Sequence, residues 1–253
     1  MSPAYTDLAK TTRYHYWRLY NRVAPALGPF RMADIGRDAI YEVQKKFENT
    51  PREDNHAVEL IRVLFSWMVD RERLTSNPAK GIKRLKVSPR QQVWSEEAEE
   101  ALLAVADEPM QRAFKLMLYT GQRQQDALKL EWTKYVDGRL SVRQRKTWAL
   151  IDIPAAANLK VLLNSLPRMS THVLTDALGR PWTQRAFGSR RRETTLAAGL
   201  TDRDLKNMDL PRIAMVRLAE AGATPHEISA ISGRPCESLR PTYPGPGRWR
   251  TPR

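Results

Sequence analysis

Hydrophobic positions recur at helical spacing through the first third of the chain. In residues 11–28, TTRYHYWRLYNRVAPALG, the stripe Trp17, Tyr20, Ala24 and Leu27 outlines one face of a helix that Pro25 and Gly28 bring to an end. RDAIYEVQKKFEN repeats the pattern through Ile40, Val43 and Phe47, and HAVELIRVLFSWMVDRERL through Val58, Ile61, Phe65 and Met68. Because the aromatics share these faces, they are expected inside a core and not as a platform for stacked bases. Asn77, Pro78 and Gly81 stop the third helix.

Beyond residue 93 the pattern alternates between helical and extended. Ser95 is placed to cap a helix with an acidic first turn. The apolar helix PMQRAFKLMLYTG stops at Gly121. Asp137–Gly138 is a hairpin signal, after which Leu140 and Val142, then Ile151 and Ile153, alternate with polar residues up to Pro154. Lys146 falls between these strands, near a turn. Helices return in AAANLKVLLNSL and again after Thr183, where Trp182 is placed to staple onto Phe187. Two more follow, one with Pro211 in its first turn and Gly222 at its end. The other has Thr224, Pro225 and Glu227 set as a capping box, and stops at Gly233. No internal repeat is present. The last residues, 235–253, hold Pro235, Pro241, Pro244, Pro246 and Pro252 without an apolar stripe, so an irregular Pro/Arg-rich tail is expected.

Composition adds a partner to this outline. At 253 residues the chain has room for two domains. Its 42 Lys and Arg against 28 Asp and Glu leave a formal charge of +14. The surplus is not local: residues 1–92 hold 17 basic and 10 acidic side chains, residues 93–253 hold 25 and 18, and each part carries +7. A polyanion is the natural partner, and nucleic acid leads because neutralised phosphates release condensed counterions. A basic surface without a ligand is the alternative that composition leaves open. Lys80, Lys83, Arg84, Lys86 and Arg90 follow one another with no acid among them, which suits a tether lying along phosphates, or else a solvated charge run.

Other classes recede. One cysteine, Cys236, excludes a disulfide framework, and four scattered histidines give no metal cluster. No metal, cofactor or small-molecule substrate is expected. The N-terminus lacks the layout of a signal peptide, and no apolar run approaches the roughly 18 residues of a membrane span. A cytoplasmic, nucleoid-associated protein is the expectation.

Arg123 in YTGQRQQD follows an apolar helix and a glycine, and Lys146 lies in VRQRKT. Either residue alone reads as a surface charge. Taken with the order helix, hairpin, helices and with LAEAG and ISG near the end, they resemble the tyrosine-recombinase, or phage-integrase, family. The resemblance implies a mainly α fold with a small β-hairpin sheet (α+β). Residues 1–86 are similar to its helical core-binding domain and 93–234 to its catalytic domain, with SNPAKGIKRLK as the linker and 87–92 as its end. The chain begins immediately before the first domain, so no arm-site domain is expected ahead of it.

In that family a tyrosine attacks a DNA phosphate, two arginines and a His or Trp stabilise the transition state, and a hairpin lysine serves the leaving oxygen, without metal. By position, Arg123 matches the first arginine, Asp126 the acid that often follows it, and Lys146 the lysine. The second motif departs: Met208 stands for the histidine and Pro211 for the arginine, with Arg212 next door. Gly233 and Arg234 replace a glycine and histidine, and Tyr243 follows nine residues later. Losing a preorganised donor costs about 100- to 1000-fold in rate, and losing a general acid or base about 100- to 10000-fold. Neither Met208 nor Pro211 donates a charged hydrogen bond. Arg212 is turned roughly 100 degrees away on a helix, and prolines bracket Tyr243.

The resemblance therefore implies a catalytically inactive relative that binds specific double-stranded DNA, self-associates on it and regulates transcription as a repressor. Arg123, Lys146, Arg212, Arg234 and the basic run would hold phosphates. The alternatives are an active or trans-complemented site-specific recombinase using Tyr243, an accessory factor that modulates an active integrase, or a helix-turn-helix in LAEAGATPHEISAISGR. The capping box explains the second helix of that segment without DNA. A tail of this kind also fits a decaying gene.

Overall fold

The computed structural model describes residues 3–47, 49–87, 94–201, 205 and 209–239. The chain divides into two compact units, Met1–Arg90 and Gln91–Arg253.

The first unit is helical: α1 (Pro3–Thr6), α2 (Lys10–Leu27), α3 (Arg37–Lys46) and α4 (Pro51–Val69). Pro51 opens α4, with Glu53 and Asp54 in a first turn whose exposed N–H groups favour acids. Ile40, Val43 and Phe47 from the α3 region meet Val58, Ile61 and Phe65 of α4 in the core, as their spacing predicts. The face of α2 is different. Leu19, Val23 and Leu27 are buried, while Trp17 is 56% and Tyr20 54% exposed. The helix carries two apolar stripes, and the aliphatic one packs. Trp17 and Tyr20 instead line an open apolar groove of about 400 Å³ with Tyr5, Leu60, Leu64 and Trp67.

α4 ends at Val69, ahead of the stop expected at Asn77, Pro78 and Gly81, because Glu72 turns left-handed (φ 54°) and the Arg73 N–H closes on the Met68 carbonyl at 3.0 Å. The basic run that follows is not a free tether along residues 77–85. Ala79 and Ile82 are buried in the first unit's core. Asn55 exchanges two hydrogen bonds with the backbone of Leu85 (2.8 and 2.9 Å). Arg62 donates to the carbonyls of Ala79 and Ile82 (both 3.3 Å), and Asn77 donates to the Arg62 carbonyl (2.9 Å). Two buried apolar residues and five hydrogen bonds from three side chains make it a strap.

In the second unit α5 (Glu96–Val105) is capped by Ser95 and α6 (Glu108–Thr120) by Asp107. α7 (Gln124–Ala127) precedes a three-stranded antiparallel sheet, β1 (Tyr135–Val136), β2 (Arg139–Arg143) and β3 (Leu150–Pro154), in that order. Asp137 and Gly138, both at positive φ, turn the chain between Val136 and Arg139. Leu140 pairs with Ile153 and Val142 with Ile151, all four buried, so one face of the sheet covers the core and the other is open. α8 (Ala157–Ser165) and α9 (Gln184–Ala197) follow, the latter capped by Thr183, with Trp182 edge-on to Phe187 at 5.6 Å. α10 (Leu210–Glu220), α11 (Pro225–Ser232) and α12 (Cys236–Leu239) complete the described chain. The predicted capping box of α11 is present. α12 corrects the expectation of a wholly irregular tail: no proline falls between 235 and 241, so one helical turn forms.

α6 is the centre of this unit, with Met110, Ala113, Phe114, Leu116 and Met117 all at most 2% exposed. Arg217 of α10 grips Glu99 of α5 through two contacts of 2.9 and 3.0 Å. Burial raises the Glu99 carboxyl above its usual range, and Arg217 pulls it back only in part. Among the described residues, no helix is long and apolar enough to cross a membrane.

Candidate functional site

Three segments of the second unit converge on one buried side chain, Gln144, at the end of β2. Its Nε2 donates to the Gln122 side-chain oxygen (3.0 Å) and to the Ser232 carbonyl (2.8 Å). Its Oε1 accepts from Arg123 Nη1 (2.9 Å) and from the Thr147 hydroxyl (3.0 Å). Gln122, equally buried, donates to the carbonyls of Thr120 (3.2 Å) and Ile231 (3.1 Å). The end of α6, the β2–β3 hairpin and the end of α11 are thereby tied together. Both amide groups of the tie, those of Gln122 and Gln144, have all their heavy polar atoms partnered.

Two glycines allow the approach. Gly121 ends α6 at φ 64°, and a Cβ there would meet Ala214 of α10 at 3.3 Å and the Pro211 carbonyl at 4.0 Å. Gly233 ends α11 at φ 64°, and a Cβ there would lie 2.5 Å from Ile151 Cδ1 and 2.9 Å from Gln144 Oε1.

The tie places two arginines side by side. Arg123 is half-buried and held by Gln144. Arg234 is half-buried just beyond Gly233, where its carbonyl accepts from Ser229 Oγ (2.6 Å) and its N–H donates to Ser232 Oγ (3.3 Å). Burial pushes the Arg234 guanidinium below the usual arginine range, and the neighbouring charge of Arg123 pushes it the same way. Among the described residues no carboxylate pairs with either one. Asp126 accepts the Arg145 backbone N–H (3.1 Å) and fastens the hairpin turn to α7; it does not neutralise Arg123.

Of the other sequence-predicted residues, Lys146 is exposed on the turn of the hairpin. Pro211 is buried in the first turn of α10, beside Gly121, and offers no donor. Arg212 is half-buried on the same turn and is engaged with a partner. On the strap, Lys80, Lys83, Arg84 and Lys86 are exposed, and Arg84 pairs with Glu59 at 3.0 Å. Arg90, Met208 and Tyr243 lie outside the described residues.

Gln122 and Gln144 escaped the sequence reading, as did a basic cleft on the open side of the sheet. This cleft, of about 620 Å³, is lined by Lys129, Lys134, Arg143 and Arg145 with Asp126 and Glu131. The polar positions Ser141 and Arg143, alternating with buried Leu140 and Val142 along β2, were the signal for it.

This architecture has solved counterparts. A lambda integrase fragment (residues 75–356), as a dimer bound to a COC' core site, superposes with a TM-score of 0.83 and 18% identity over 98% of this chain and 93% of that one. A Tn1549 transposon integrase fragment (residues 82–397) in complex with circular intermediate DNA gives 0.76 and 14%, over 94% and 90%. The fold is the integrase fold. Lambda integrase as a tetramer on a Holliday junction agrees as well, with a TM-score of 0.80 and 17% identity over 98% of this chain and 76% of that one. No protein-family model matches the sequence, and no curated protein sequence does.

Proposed function

We propose that this chain binds specific sites in duplex DNA without cutting them, self-associates there, and represses transcription. The observation that carries the reading is the pair Arg123 and Arg234. Two half-buried cations repel one another, and no carboxylate relieves them among the described residues. A phosphate oxygen bound between them would supply the counter-charge and accept from both forks. Lys146, Arg212 and the exposed Lys80, Lys83 and Lys86 would add positioning contacts, and a surplus of +7 on each part of the chain would draw the duplex in. The integrases that share the fold were solved on DNA, as dimers or a tetramer in the lambda case.

The absence of cleavage rests on chemistry. Pro211 supplies no charged donor where the first turn of α10 meets the end of α6, and Met208 supplies none in the sequence. Losses of that type each cost about 100-fold or more in rate. The soluble chain would work at the nucleoid, where occupation of a site competes with polymerase.

The test has two arms. Anisotropy titrations across a salt series measure duplex binding, and a nicked suicide duplex containing the bound site traps covalent intermediates. Saturable binding with no adduct is expected, with Tyr243→Phe indistinguishable from the parent chain. An adduct that disappears in Tyr243→Phe would leave a recombinase, acting alone or completed by a second subunit. Absence of any duplex binding removes the reading altogether. For the regulatory step, chromosomal occupancy in promoters with derepression on deletion is expected, whereas occupancy confined to element junctions points to an accessory role.

A further inference from the structure

We propose that Trp148 is a base-contacting wedge: its indole, held out from the β2–β3 turn beside Lys146, inserts against the bases of the bound duplex. This deepens the DNA-binding reading and rests on it.

The indole does little for the fold. At 72% exposure, Trp148 is the most exposed large hydrophobic side chain among the described residues. Its backbone sits at φ 58°, a conformation glycine adopts freely and a bulky side chain rarely does. Neither packing nor backbone preference accounts for a tryptophan at this position.

The turn that carries it is fixed. The Trp148 N–H donates to the Gln144 carbonyl (2.8 Å), and the Gln144 N–H donates to the Ala149 carbonyl (2.9 Å). The Thr147 hydroxyl and Arg123 both hold the Gln144 side chain, and Asp126 holds the Arg145 N–H. The backbone that carries the indole is therefore held by the same tie that holds Arg123, so a stacking contact has only the side chain left to order.

The surroundings select the partner. From Gly138 to Ile151 the sequence has four cations, Arg139, Arg143, Arg145 and Lys146, and no acid. A flat aromatic ring among cations matches a ligand that offers flat apolar faces inside a polyanion, which is nucleic acid. Apolar side chains that enter a duplex part a base step, while flanking cations hold the phosphates on either side.

The test uses the full chain and a short duplex recovered by selection from a randomised pool, carrying a fluorescent adenine analogue at successive positions. Opening of a base step brightens the analogue locally. The parent chain should brighten one step. Trp148→Ala and Trp148→Gly should abolish the signal and weaken binding about 5- to 150-fold, the range for one stacked base. The salt slope should not change, because no charge is removed. Trp148→Phe should restore most of the signal, and Trp148→Gly should melt no lower than the parent.

Full affinity and an intact signal in Trp148→Ala overturn the proposal. So does binding to phosphatidylserine vesicles that Trp148→Ala abolishes while duplex binding persists, which would make the indole a membrane contact. If the parent chain selects no duplex, the DNA reading has failed, and the wedge with it.

Discussion

Replacing Gly233 with alanine tests the packing around Gln144. The left-handed backbone at φ 64° costs an alanine about 1 kcal/mol relative to glycine. The new methyl would stand 2.5 Å from Ile151 Cδ1, 2.9 Å from Gln144 Oε1 and 3.0 Å from Gln144 Cδ. Ile151 has some room to rotate its terminal methyl. The Gln144 amide has none, because its nitrogen is committed to Gln122 and Ser232. Displacing it breaks at least one buried hydrogen bond, worth about 1–3 kcal/mol when a partner is left unsatisfied. The sum is about 3 kcal/mol, or about 6–12 °C in melting temperature for a domain of this size. Gly199 is the control, at φ 66° with nothing within 4 Å of its added Cβ. Gly199→Ala should lose only the backbone part, about 1 kcal/mol. Calorimetry of the two variants separates the contributions. Equal melting temperatures for Gly233→Ala and Gly199→Ala would refute the claim that Gln144 is locked.

Three further outcomes are expected. Arg123→Ala should cost about 1–3 kcal/mol of duplex affinity in titrations, as loss of a charged hydrogen bond does, and should lower the melting temperature less than Gly233→Ala does, because the Thr147 hydroxyl still donates to Gln144 Oε1; a lower melting temperature with affinity intact would make the arginine structural. Lys83→Ala and Lys86→Ala should each flatten the salt dependence by about one counterion, and Arg84→Ala by less, since Glu59 already neutralises it; three equal slopes would argue against that pairing in solution. Asp54 is fully buried with one oxygen taken by Gln44, and burial raises its carboxyl above the usual range. The native state thus binds this proton more tightly than the unfolded chain, so its contribution to stability is present at low pH and declines as pH rises through the raised value. Asp54→Asn should remove that decline in urea titrations, and an unchanged pH profile would show that Asp54 is not its source.

What the sequence made legible was local. Asp137–Gly138 specified its hairpin, Thr224 to Glu227 its capping box, and Ser95 and Thr183 their helices, because the partners in each lie within four residues. The alternation in β2 and β3 likewise identified the four side chains under the sheet. The tie at Gln144 was not legible. Glutamine is ordinarily a surface residue, and its partners lie 22 and 88 positions away. The stripe on α2 failed for another reason: Trp17–Tyr20 and Leu19–Val23–Leu27 both satisfy helical spacing, and only the docking of α4 decides between them. The strap was hidden because two small apolar residues, Ala79 and Ile82, sit among charges that dominate the pattern. Of the site, the sequence pointed to Arg123, Lys146 and Arg234 singly, but Arg123 is held by Gln144, 21 positions away, a contact that no short window contains.

The bond from Gln144 to Ser232 also sets an order of events in folding. Closing a loop of 88 residues costs about 4 kcal/mol of chain entropy, which local contacts cannot offset in advance. The hairpin is complete within twenty residues of sequence, yet its buried amide finds this partner only when the end of α11 arrives. During synthesis the Gln144 amide can reach Ser232 only after α11 has left the ribosome, so this bond is expected to form after the hairpin. A ribosome-stalled chain ending before Ser232 would hold the strands and lack the clamp.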